Sequence, residues 1–260
     1  MEDAWNFFPG IYVATVTGSG RIPQVSKELN RVGVTNFTLN RQIPPKEKTF
    51  ENITLSCTDN HQQIYRDALQ KGLPYICVFE DDVYFTDPPK EIRKSLQKIA
   101  KFVNTPGWDF LYIGHFPWKI GAKMRNYPGI FKSISWCTHA YVISNSGMQK
   151  MLEHTPEQMM QIARVGVPVI ANMMFKECGG IDTYIAYQTH RGKFESFCLY
   201  PMFVFQYSIP GWKTKAQAAE YMSMKLGFWP NGLAYIGWVA LWVVIYIIVV
   251  YLRKRDRQYM

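Results

Sequence analysis

The stretch that most constrains this chain is Tyr75-Ile76-Cys77-Val78-Phe79-Glu80-Asp81-Asp82-Val83. Its first five residues are apolar and rich in β-branched and aromatic types, the composition of a buried strand. Three carboxylates end it abruptly, and Thr86-Asp87-Pro88-Pro89 starts a new element. Adjacent acids at a strand end repel one another and raise each other's pKa unless positive charge sits with them. A hard divalent cation such as Mg2+ or Mn2+, taking oxygen ligands and bridging to substrate phosphates, is the natural counter-charge. A solvated acidic turn is the alternative.

The rest of the chain reads as α/β. Gly10 to Val16 is a first strand, broken by Thr17-Gly18-Ser19-Gly20. Ile22 to Arg31 has a helical stripe of Val25, Leu29 and Val32, with Gly33 as its stop, and Val34 to Leu39 reads as a second strand. Such a β-turn-α-β opening starts a doubly wound sheet, which binds ligands beyond the carboxyl ends of its strands. The loop from Thr15 through Thr17 to Arg21 is therefore a candidate nucleotide contact.

Lys46 to Asn52 is a polar loop, and Thr58 to Lys71 a helix that Gly72 ends and that feeds the acid-tipped strand. Asp87-Pro88 caps another helix, with Ile92, Leu96, Ile99 and Val103 as its core-facing stripe. Trp108 to Gly114 and Thr138 to Ser144 are strands, with a helix over Gly147 to Glu153. Between those strands, His115 to Lys132 is aromatic, basic and turn-rich, as a mobile substrate loop would be. Met159, Met160, Met173 and Met174 suit core filling.

Five widely spaced cysteines with no CxxC argue against a zinc site and give no disulfide framework. The net charge of +9 is swollen by Arg253-Lys254-Arg255-Asp256-Arg257, and the other basic residues are scattered rather than striped. Nucleic acid is therefore not an expected partner. Phosphorylated small molecules or anionic lipid account for the excess equally well.

From Gly232 to Leu252 run 21 uncharged residues, with Trp229 and Trp238 near one end, Tyr251 at the other and the basic cluster beyond. That length and flanking predict a transmembrane helix. The expected organisation is a catalytic domain over 1–211, a linker over 212–231, the span over 232–252 and a basic tail over 253–260. Met1 to Trp5 lacks a signal-peptide design, which favours a single-pass, C-terminally anchored protein with its bulk in the cytosol. A lumenal placement is the alternative, and the sequons at Asn36 and Asn52 would then matter.

Several blocks together resemble glycosyltransferase family 25. Ser56-Cys57-Thr58-Asp59-Asn60-His61 and Val78-Phe79-Glu80-Asp81-Asp82-Val83 are similar to that family's G-C-x-L-S-H and L-E-D-D-V patterns. Trp108 to Gly114 and Thr138 to Ser144 resemble its W-D-hydrophobic-L-Y-L-G and T-x-A-Y-hydrophobic-hydrophobic-S blocks. Gly180-Ile181-Asp182 and Tyr200-Pro201 through Gln206 match later elements more loosely. Ser56 and Asp59-Asn60 depart from the pattern.

The resemblance implies a GT-A-like fold, a Rossmann-like mixed sheet flanked by helices. It also implies a nucleotide-sugar donor, UDP-galactose or UDP-glucose first, and Mn2+ or Mg2+ held by the acid triplet. Asp82 with Glu80 is the expected metal pair, with Glu80 or Asp81 on the donor ribose or a metal-bound water. Arg21 and Lys132 are candidate diphosphate contacts, and His61 is a candidate for orienting the donor site. An inverting transfer needs a base for the acceptor hydroxyl; Asp182 is the leading candidate, with a helix N-cap as its structural alternative. His115, after Gly114 at a strand end, is a second candidate on the acceptor side. The acceptor would be a glycan, a lipid-linked saccharide or a protein. A catalytically inactive scaffold serving membrane assembly is the competing expectation.

Overall fold

The structure is a computed structural model and describes residues 2–85, 89–166 and 180–206. Contacts divide the chain into a unit at Met1–Thr214 and another at Lys215–Met260, and all described residues lie in the first. Strands β1 (Ile11–Val16), β2 (Thr38–Gln42), β3 (Tyr75–Glu80), β5 (Phe110–Lys123), β6 (Ile130–Ser144) and β7 (Ser196–Leu199) form one mixed sheet. Their order is β2-β1-β3-β6-β5-β7. The first three strands run parallel, whereas β6 is antiparallel to both β3 and β5. A small second sheet pairs β4 (Val83–Phe85) with β8 (Val204–Gln206), antiparallel.

Alternation along the strands divides the core between the two faces of the sheet. Val13, Phe79 and Leu111 pack with Val25 and Leu29 of α1 (Ile22–Arg31) and Leu96 of α3 (Pro89–Val103). Tyr12, Val78 and Phe110 pack on the other face against α2 (Phe50–Gln70), α4 (Asn145–Met151), α5 (Pro156–Gly166) and α6 (Ile181–His190). The helix over Ile22 to Arg31 matches its sequence expectation, and Gly33 ends it at φ +89°, a conformation that glycine adopts without strain. Met159 and Met160 are buried, as their core role requires; Met173 and Met174 lie outside the described residues.

Three expectations need correction. The second strand covers Thr38–Gln42 rather than Val34 to Leu39, an edge position whose residues are only partly covered. The helix α2 begins at Phe50, not near Thr58, because the Thr49 side chain accepts a hydrogen bond from Asn52 N and caps it. The supposed loop from His115 to Lys132 is mostly strand: β5 and β6 form a long hairpin. Register shifts along β5, and a proline at position 117 within it, hide its alternation.

The hairpin is locked where Gly114 passes under β8. A Cβ there would lie 2.6 Å from His139 Nε2 and 2.6 Å from the Val204 backbone oxygen, so only glycine fits. Asp109 anchors the other side. Its buried carboxylate pairs with Lys150 Nζ at 2.6 Å and accepts from Glu195 N at 2.9 Å and Ser146 Oγ at 3.0 Å. Lys150 keeps access to solvent, but removing the buried Asp109 carboxylate leaves three donors without their acceptor, at about 1 kcal/mol or more each. Asp109→Ala is expected to lower unfolding free energy by about 3 kcal/mol; a loss below about 1 kcal/mol in urea titration would reduce the pair to a surface contact.

The expected single-pass anchor is also corrected. No helix among the described residues is long and apolar enough to cross a membrane. The 232–252 stretch itself lies outside the described residues.

Candidate active site

Parallel pairing of β1 and β3, with Ala14 opposite Glu80, brings the Thr15–Arg21 loop against the acid triplet. The three acids then meet three different fates. Asp81 is 5% exposed and fully partnered: Thr15 Oγ1 donates to it at 2.6 Å, Ser19 Oγ at 2.8 Å, and Arg21 Nη2 lies 3.0 Å away. It pins the loop.

Glu80 is held from elsewhere in the chain. Thr138 Oγ1 of β6 donates to its Oε1 at 2.7 Å, and Gln206 Nε2 donates to Oε2 at 3.3 Å. Gln206 arrives there because β8 pairs with β4, immediately after the triplet. His61 Nε2 approaches Oε1 at 3.5 Å. Burial alone would raise the Glu80 pKa, but the neighbouring His61 imidazole and the Thr138 hydroxyl outweigh it and hold the group at about 2.

Asp82 is under-partnered. Its Oδ2 lies 3.4 Å from Arg21 Nη1, while Oδ1 is buried with no hydrogen-bond partner. Burial, then repulsion from Glu80, pushes its pKa up to about 7 despite Arg21. A buried carboxylate oxygen that lacks a donor, beside a second ionised acid, fits a cation. The raised pKa also fixes a sign: a carboxyl that is harder to ionise when folded stabilises most at low pH. That contribution is lost as pH rises through about 7. The metal-free protein should therefore lose thermal stability between about pH 4 and 7, and Asp82→Asn should flatten the Tm-against-pH curve. Parallel curves would exclude this account.

His61 is wholly buried on α2, with Nδ1 2.7 Å from the Tyr141 hydroxyl, which in turn bonds Tyr65. Asp182 lies in the first turn of α6, where Gly180 rather than Asp182 is the N-cap. Its Oδ1 accepts from Thr183 N at 2.7 Å, and its Oδ2 is 3.4 Å from Cys137 N. Cys137 adjoins Thr138, so β6 carries contacts to both Glu80 and Asp182 on neighbouring residues. Thr17 is exposed on the loop and bonds Gln42 through its backbone.

Two candidates are not brought to this cluster. His115 is fully buried beside Ser135, at 3.2 Å, where no acceptor hydroxyl reaches it; burial and then His139 press its pKa down to about 3. Lys132 sits at the far end of β6 in a surface ion pair with Glu195, 2.9 Å apart. Both placements follow from the hairpin, which turns an imagined loop into fixed strand positions.

Sequence reasoning missed four contributors. Thr138 and Gln206 bind Glu80 from 58 and 126 residues away, which local patterns do not reveal. Asn60 donates to the Thr15 carbonyl at 2.8 Å and accepts from Asn40 at 2.6 Å, tying α2 to β1 and β2. Cys57 lies near His61 and Glu80, with one ligand atom from each within 4.8 Å of the others. Its spacing of four residues from His61, one helical turn, was the available signal.

The family model described as Glycosyltransferase family 25 (LPS biosynthesis protein) matches residues 27–165, more than half of the chain. A Rattus norvegicus protein named "Probable inactive glycosyltransferase 25 family member 3" is 30% identical over 50% of this chain and 23% of its own length. "Procollagen galactosyltransferase 1" of Danio rerio is 29% identical over 45% of this chain and 20% of its own. "Lacto-N-neotetraose biosynthesis glycosyltransferase LgtE" of Neisseria meningitidis is 27% identical over 49% of this chain and 47% of its own. The chain thus spans less than half the length of each of these relatives.

Proposed function

Because the chain belongs to glycosyltransferase family 25, we propose that it moves a hexose from a nucleotide sugar to a hydroxyl acceptor, with inversion, on a GT-A-like scaffold. UDP-galactose is the first donor to test and UDP-glucose the second, since relatives carry galactosyltransferase names. A glycan, a lipid-linked saccharide or a protein would supply the acceptor hydroxyl.

The observation that carries this reading is the unequal treatment of the three acids. Asp81 is spent on shaping the loop, while Asp82 keeps a buried oxygen without a donor. Asp82 and Glu80 would hold Mn2+ or Mg2+, a set of hard oxygen donors that suits either ion. When bound, such an ion neutralises the charge left on the departing nucleoside diphosphate. The chain's own residues do the rest. Arg21, half exposed and already touching both Asp81 and Asp82, presents its guanidinium where a phosphate oxygen would lie. Thr138 and Gln206 fix the Glu80 carboxylate in place. Asp182 takes the acceptor proton on Oδ2, the oxygen with the weaker contact.

The departures at Asp59 and Asn60 leave the acids untouched: Asp59 accepts from Gln42 at 2.9 Å and Gln63 at 2.8 Å, and Asn60 braces Thr15. An inactive scaffold remains the second reading, favoured by the rat relative's name. A screen of nucleotide sugars for hydrolysis, with and without Mn2+, separates the two. Metal-dependent release of a nucleoside diphosphate is expected; its absence across all donors would leave the scaffold.

A further inference from the structure

We propose that Cys57, His61 and Glu80 form a binding site for a zinc-type ion, separate from the hard-cation position at Asp82. Cys57 and His61 are four residues apart on α2 and therefore share one face of the helix. The end of β3 brings Glu80 against that face. One ligand atom from each of the three lies within 4.8 Å of the others. Tetrahedral zinc with bonds of about 2.0–2.3 Å needs its ligand atoms roughly 3.3–3.8 Å apart. His61 Nε2 and Glu80 Oε1 already lie 3.5 Å apart, so rotation of the exposed Cys57 side chain closes the difference while Thr138 and Gln206 keep Glu80 in place.

A second observation points into the same space. His61 is wholly buried, yet its Nε2 has no hydrogen-bond partner and faces Glu80 Oε1 at 3.5 Å. Its other nitrogen is fixed by the Tyr141 hydroxyl at 2.7 Å, the outer hydrogen bond that orients a metal-binding imidazole. A thiolate and an imidazole select zinc over magnesium or manganese, which favour all-oxygen sites. Binding would replace the Cys57 thiol proton, which leaves to solvent, and three protein ligands leave the fourth position for water. Glu80 is common to this site and the acid cluster, so a zinc-type ion would withdraw it from the hard cation and inhibit transfer.

The spectroscopic test needs no turnover. The full chain, stripped of metal, is titrated with Co2+ as a reporter for zinc. One equivalent is expected to produce a near-ultraviolet thiolate-to-cobalt band that Zn2+ abolishes. The band should vanish in Cys57→Ser and in His61→Asn and persist in Asp82→Asn. No band in the native chain, or a band that survives either ligand substitution, overturns the site. Should buried His61→Asn fail to fold, Cys57→Ser, a change at an exposed side chain, decides. A chain that shows the band but hydrolyses no donor keeps this site and loses the transferase reading.

Discussion

Asp82→Ala should reduce metal-dependent donor turnover by about three orders of magnitude, a loss of roughly 4 kcal/mol of transition-state stabilisation. The size follows from how little else at the site can replace it. Asp81 is already consumed by Thr15, Ser19 and Arg21, so it cannot turn towards a cation without releasing the loop. Glu80 is gripped by Thr138 and Gln206. Only Asp82 keeps a buried oxygen in reserve. Fold should survive the change, because Asp82 sits in the turn after β3 and its deletion relieves repulsion from Glu80. The check combines steady-state hydrolysis across Mn2+ concentrations with far-ultraviolet circular dichroism. A variant that recovers full rate at high Mn2+ would show that Asp82 sets affinity alone. One that matches the native chain throughout would remove Asp82 from the proposed metal site.

Asp81→Ala makes the contrast informative. That side chain organises a loop rather than facing a ligand, so both donor affinity and thermal stability should fall together. The two neighbouring aspartates therefore separate by readout although their sequence context is nearly the same.

The acid-tipped strand was legible because apolar period and charge change at one point, Phe79 to Glu80. Arg21 was legible too, because a loop after the first parallel strand must emerge at the same sheet edge as the acids. The division of labour among the acids was not. It depends on the β1–β3 register, which sets Thr15 beside Asp81, and on a β4–β8 pairing that delivers Gln206 across 126 residues. The hairpin misled for a different reason. Shifts of register break the alternation by which strands are recognised, and inward Ser133 and Ser135 make part of β6 look like loop. His115 and Lys132 went astray with it. The Cys57–His61 pair is one helical turn apart and forms no CxxC, so it carries no cysteine signature in the sequence.

Asp182→Asn should lower the rate of sugar transfer by about 10²- to 10³-fold while leaving the donor KM near its native value. Asparagine keeps an oxygen to accept the Thr183 N–H bond, 2.7 Å long in the native chain, so the first turn of α6 should persist. What disappears is the second carboxylate oxygen, Oδ2, which lies 3.4 Å from Cys137 N. That residue adopts φ +68°, a left-handed conformation uncommon for a side chain other than glycine and costing about 1 kcal/mol or more. Strain of this kind persists where surrounding structure holds it, and here it lies between Thr138, which grips Glu80, and the carboxylate of Asp182. A structural first-turn acid and a proton acceptor predict different outcomes. Loss of the former would shift Tm and spare kcat; loss of the latter should depress kcat with Tm held within a few degrees. A transfer rate within about threefold of native would return Asp182 to a purely structural role.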